Sequence, residues 1–85
     1  MKRYAQMKKI IELLQDVNKD ADFTKSDDFI SDGLLDSMDL QMLAVAIEDE
    51  YGVKIAGTDL MPMNFVSIEA IEDFLRSHGV EGNLR

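Results

Sequence analysis

Apolar residues return at helical spacing in three stretches of this chain, separated by one long polar segment and one short one. Tyr4, Met7, Ile10, Ile11 and Leu14 stand among Lys8, Lys9, Glu12 and Gln15, and their period predicts an amphipathic helix of about four turns. From 16 to 28 the chain is polar apart from Phe23, after which Phe29, Ile30, Leu34 and Leu35 restore apolar character before any new helix begins. A loop this long in a small domain is either functional or packed down by its own side chains. Gly33 permits a backbone turn there that is closed to other residues. A second helix is predicted from Ser37 to Tyr51, with Leu40, Leu43, Ile47 and Tyr51 as its buried stripe, broadened by Ala44 and Ala46, and Gly52 as its stop. Thr58 could cap one short helical turn from Asp59 to Asn64, limited by Pro62. A final helix is predicted from Ser67 to His78, with Ser67 as cap, Ile68, Ile71, Phe74 and Leu75 inward, and Gly79 as terminator. Residues 80–85 read as a flexible tail.

This pattern predicts an all-α fold: a small four-helix bundle with three main helices, one short helix and a long first loop. The 85 residues read as a single domain, 1–85, with a core over about 4–79. A chain this short has little room for an enclosed active site.

Composition narrows the function classes. There is no cysteine, so disulfides and thiolate metal sites are excluded and a reducing compartment is compatible. The longest wholly apolar run, from Leu43 to Ile47, is far too short to cross a bilayer, and no hydrophobic signal core follows Met1-Lys2-Arg3. A cytoplasmic protein is expected. Between Lys25 and Lys54 there is no Lys or Arg, and that stretch holds eight acids: Asp27, Asp28, Asp32, Asp36, Asp39, Glu48, Asp49 and Glu50. Such a segment repels nucleic acid and favours encounter with basic partner proteins. Taken alone, a charge run of this kind reads as a solvated face that keeps a small protein soluble.

Ser37 stands where this acidic helix begins. A serine at that place ordinarily caps the helix and does nothing else. Counted from Ser37, however, the third residue on is Leu40, so no capping-box partner is present. Asp36 is the better cap, which puts Ser37 at the first helical position with its hydroxyl outward. A free hydroxyl at the positive end of a helix suits a phosphodiester.

With that string the chain resembles the acyl carrier protein family, including its peptidyl and D-alanyl carrier relatives. The resemblance rests on Asp36-Ser37-Met38, similar to the family's Asp-Ser-Leu attachment motif, with Gly33 upstream. It continues through the segment from Leu43 to Val53 and through Asn64 to Ile71, covering about Tyr4 to Gly79. The resemblance implies that a phosphopantetheinyl transferase, using coenzyme A and magnesium, attaches 4′-phosphopantetheine to Ser37, with Asp36 presenting the hydroxyl. The arm's thiol then carries an acyl or aminoacyl group as a thioester between loading and transfer enzymes with basic docking patches. Specialised fatty-acid, lipid, polyketide or aminoacyl pathways fit this wording. The resemblance also implies partner docking through Met38, Gln41, Met42, Val45, Glu48 and Asp49, both acids being expected to be exposed. Gln41 and Met42 exchange the family's usual apolar and acidic positions, and Leu40 is apolar where a small polar residue is common.

Other constellations carry less. Counted as a calcium loop from Asn18, the chain has Phe23 where glycine is needed and Phe29 where the bidentate glutamate belongs. Counted from Asp28, Ile30 spoils the third place, which leaves only loose cation binding by Asp20, Asp22, Asp27 and Asp28. His78 is the sole histidine, in the last helical turn where its charged form suits the helix dipole, so no metal site and no triad is expected. The reading is a monomeric carrier, not an enzyme, bound neither to nucleic acid nor across a membrane. Its rival is a helical adaptor whose acidic second helix binds a partner with no prosthetic group.

Overall fold

The computed structural model describes residues 8–85. Among them are three α-helices, α1 (Ile10–Val17), α2 (Ser37–Tyr51) and α3 (Ile68–Ser77), and no strand. Tyr4 and Met7, expected on the first helix, lie outside the described residues. α1 starts later than its periodicity suggested: Lys9 is extended, and its N–H donates to Glu12 Oε1 at 2.8 Å. Ile10, Leu13 and Leu14 face inward from α1, and Ile11 is only partly covered.

α2 buries the expected stripe of Leu40, Leu43, Ala44, Ile47 and Tyr51. Gly52 ends it at φ 70°, a left-handed conformation that costs glycine little, and its N–H donates to Glu48 O at 3.0 Å. The Tyr51 hydroxyl donates to Lys8 O, so the end of α2 holds the segment that leads into α1. Burial pushes this phenol from 10.0 up to about 12, with the nearby Glu50 and Glu12 charges adding to the shift. A folded-state value above the unfolded one stabilises the fold fully below the unfolded value. Stability from Tyr51 should therefore disappear as pH rises from 10.0 through about 12. Urea melts across that window should show a steeper loss for the wild type than for Tyr51→Phe.

The fourth, short helix is not formed. Its segment folds as two separate 3₁₀ turns, Gly57–Asp59 and Pro62–Asn64. Pro62 has no N–H to continue a hydrogen-bonded turn, and Asn64 Nδ2 donates to Asp59 O at 2.8 Å from outside the backbone ladder. Thr58 lies inside the first turn rather than capping it; Asp59 Oδ2 accepts instead from Ala56 N–H at 3.3 Å.

α3 begins as expected, with Ser67 Oγ accepting from Ala70 N–H at 3.0 Å. Its end overturns the flexible-tail expectation. Val80 N–H reaches Leu75 O and Gly79 N–H reaches Arg76 O, both at 3.0 Å, the paired bonds of a Schellman motif. That motif turns the chain back so that Val80 packs beside Leu75, both buried. Arg76 then holds the returning strap, donating to Val80 O at 3.2 Å and Gly82 O at 2.8 Å. Leu84 is 1 % exposed, and its carbonyl accepts from Ile10 N–H at the start of α1 at 2.7 Å. Residues 80–84 thus close the bundle rather than trail from it.

Candidate functional site at the start of the second helix

The loop before α2 is packed from within, and that packing aims Ser37. Phe23 and Phe29 are buried edge to face, with ring centroids 5.0 Å apart and an interplanar angle of 85°. Phe29 also bonds through its backbone in both directions. Its N–H donates to Val66 O at 2.6 Å, and its carbonyl accepts from Leu34 N–H at 2.8 Å and Leu35 N–H at 3.2 Å. Gly33, at φ 77°, makes the turn that brings Leu34 and Leu35 back to Phe29. Asn18, at the end of α1, donates from Nδ2 to Leu34 O at 3.0 Å. Asp28 Oδ1 accepts from Ser31 N–H at 3.0 Å, and this bond holds the Asp28 carboxyl below its usual range. A lowered folded-state value means this support is present at neutral pH and lost under acid.

Leu35 is buried and Asp36 is exposed, so the chain leaves the core one residue before the helix starts. Asp36 is the N-cap, its Oδ1 accepting from Asp39 N–H at 2.8 Å, while Asp39 Oδ2 accepts from Asp36 N–H at 3.2 Å. The reciprocal bonds form a capping box of two aspartates, a device worth about 1 kcal/mol through its cap. The box counts from Asp36, and its partner Asp39 was legible at that spacing; counting from Ser37 had hidden it. Ser37 is accordingly the first helical residue, and it is exposed. Its hydroxyl has no hydrogen-bond partner among the described residues, nor have the N–H groups of Ser37 and Met38. Elsewhere Ser26 Oγ donates to Asp32, Ser67 Oγ caps α3, and Ser77 Oγ donates to Phe74 O.

Met38, Gln41, Met42, Val45 and Asp49 are all exposed on α2. Their spacing of three and four residues puts them along one side of the helix. Glu48 departs from the expectation for both acids. It is only partly exposed, and its Oε2 accepts from Ile55 N–H at 2.8 Å, fixing the chain beyond α2. Leu40 belongs to the core. Met61 and Met63 are also exposed.

The remaining candidates do not assemble. Among the described residues, no three His, Asp or Glu side chains converge as cation ligands. Asp22 is instead engaged by Thr24, whose hydroxyl and N–H hold its carboxyl below the usual range. His78 stacks on Phe74 with centroids 4.3 Å apart, and its Nε2 lies 3.9 Å from Asp59. An open cleft lined by Ser26, Asp27, Ser67, Glu69 and Arg85 includes no residue of α2. No helix among the described residues is long and apolar enough to cross a membrane.

A family model described as a phosphopantetheine attachment site matches residues 8–75. Comparison with curated proteins and with solved structures gave no match. Domains of this family bear 4′-phosphopantetheine covalently and are carriers rather than catalysts; their partners include a phosphopantetheinyl transferase and acyl-handling enzymes. The start of α2 fits such a group. It offers an exposed hydroxyl and two backbone N–H donors, none bonded to a described residue, at the positive end of a helix, where a phosphodiester is stabilised. The motif, the all-helical frame and the family match over most of the chain agree: this protein belongs to the phosphopantetheine-binding acyl carrier protein family.

Proposed function

We propose that Ser37 is the attachment residue, and that the chain carries an acyl or aminoacyl group for a specialised fatty-acid, lipid, polyketide or aminoacyl pathway in the cytoplasm. The observation that supports Ser37 most directly is its placement: exposed, first in α2, and free of hydrogen bonds to described residues. When bound, 4′-phosphopantetheine supplies a thiol, the only one in a chain without cysteine, for thioester formation. The contribution of the chain is presentation. Asp36 fixes the helix start with Oδ1, while its Oδ2 accepts no hydrogen bond from a described residue and would be available to the transferase and its magnesium ion. The Ser37 oxygen gains the bond to phosphorus and gives up its proton as the pyrophosphate P–O bond of coenzyme A breaks and adenosine 3′,5′-bisphosphate leaves. The Ser37 and Met38 N–H groups, unbonded to described residues, favour the new phosphodiester's charge.

Peptide mapping tests the assignment. After incubation with coenzyme A, magnesium and a broad-specificity transferase, the arm is expected on the peptide containing Ser37. An arm on Ser26, Ser31, Ser67 or Ser77 overturns Ser37 as the site. No arm with several transferases favours the adaptor reading instead.

Met38, Gln41, Met42, Val45 and Asp49 are the docking residues in this proposal, and Glu48 sits at their edge while bracing Ile55. Asp49 is therefore the cleaner charge to reverse. Asp49→Lys should leave the thermal melt unchanged and slow transfer by about 2- to 5-fold at low salt, as expected for an exposed rim charge worth ~0.5–1 kcal/mol. The difference should shrink as ionic strength rises. Equal rates at low salt would remove Asp49 from the docking face.

A further inference from the structure

Among the described residues, sulfur is placed on the surface. All four methionines among the described residues are open to solvent: Met38 at 72 %, Met42 at 51 %, Met61 at 47 % and Met63 at 65 %. Together with Val45 they are the large apolar side chains that the described surface leaves exposed, whereas the core is built from Leu, Ile, Val, Phe, Ala and Tyr. The described core offers a dissolved oxidant no thioether. A methionine surface is not, because oxidation turns a flexible apolar side chain into a polar one.

Two of the four sit where this matters. Met38 directly follows Ser37, so an enzyme that reaches the Ser37 hydroxyl meets the Met38 thioether. Met42 lies one turn further on the same side of α2, at the four-residue spacing that makes helix side chains neighbours. The surroundings carry one sign of charge. Exposed Asp36 and Asp49 flank the pair, and no Lys or Arg occurs between Lys25 and Lys54. That combination suits one occupant, a transferase surface with an apolar seat inside a basic rim.

We propose that Met38 and Met42 form a thioether-oxidation site that governs access of the transferase to Ser37. The inference rests on the attachment reading above. The oxidant is hydrogen peroxide. Its O–O bond breaks, one oxygen bonds to sulfur as the thioether is oxidised by two electrons to the sulfoxide, and the other oxygen leaves as water. The polar sulfoxide no longer fills the apolar seat, while the described core, which contains no methionine, keeps its packing.

The test uses the full chain. It is treated with hydrogen peroxide, freed of oxidant, mapped by peptide mass spectrometry, and given coenzyme A, magnesium and an untreated transferase. Sulfoxide at Met38 and Met42 should lower the transfer rate by about 5- to 10-fold, the range expected when two apolar contacts are weakened, with no change in the thermal melt. Each variant is read as the ratio of its own rates after and before peroxide. That ratio should return to one in Met38→Leu/Met42→Leu and stay low in Met61→Leu/Met63→Leu, whose positions are comparably exposed but lie off α2. An unchanged rate with both sulfoxides present overturns the proposal. So does an undiminished loss in Met38→Leu/Met42→Leu, or a loss that follows unfolding. A chain that takes up no arm even before oxidation overturns the attachment reading, and this inference with it. Equal uptake before and after overturns this inference alone.

Discussion

Phe29→Ala is expected to destabilise the protein by about 3–5 kcal/mol, the range for removing a fully buried aromatic ring. A chain of 85 residues has a total stability on the order of 4–13 kcal/mol, so this single change takes a large share of it. Phe29 is 0 % exposed, and the Phe23 ring stands edge-on against it. Its backbone also joins the loop to Val66 and folds Leu34 and Leu35 back on themselves. Loss of the ring leaves a cavity beneath the segment that delivers Asp36 and Ser37, so transfer to Ser37 should fall together with stability. Urea melts and transfer rates on the same preparation check both. A near-wild-type midpoint would show that the loop is held by its backbone bonds alone.

Leu84→Ala is the second large effect, about 2–5 kcal/mol for a buried leucine. A residue in a solvated tail would change stability by no more than about 0.5 kcal/mol, so the measurement separates a packed strap from a free end. The strap is held at several points. The Schellman bonds launch it from α3, Arg76 grips Val80 and Gly82, and Glu72 accepts from Arg76 and pairs with Arg85 at 2.8 Å. Leu84 fills the end of the core and returns a carbonyl to Ile10. Denaturant midpoints for Leu84→Ala should drop while the exposed neighbour Asn83→Ala stays near the wild type.

The sequence made some of this legible because certain signals are local. The α2 stripe of Leu40, Leu43, Ile47 and Tyr51 follows the helical period, and all four are buried. Gly52, Ser67 and Gly79 mark helix ends through cap chemistry that acts within a few residues. The family was likewise readable from Asp36-Ser37-Met38 followed by a long acidic helix. What escaped depends on chain returning from elsewhere. Val80 and Leu84 stand among Gly79, Glu81, Gly82 and Asn83, a polar setting that looks frayed until the Schellman turn folds it back. The capping geometry contained a clue, since a hydrophobic residue directly after a terminating glycine commonly packs on the helix it leaves. Glu48 carries no such clue: its tie to Ile55 crosses the end of α2 and turns an apparent surface acid into a brace. The segment around Pro62 departs from one helical turn for a backbone reason, because Pro62, lacking an N–H, starts the second 3₁₀ turn and cannot continue the first.

The central claim, that a single hydroxyl at the head of α2 is the tether, is tested most directly by intact mass of the wild type and Ser37→Ala treated side by side with coenzyme A, magnesium and transferase. One added phosphopantetheine on the wild type and none on an equally folded Ser37→Ala chain is the expected result. The same mass gain on both chains would contradict it.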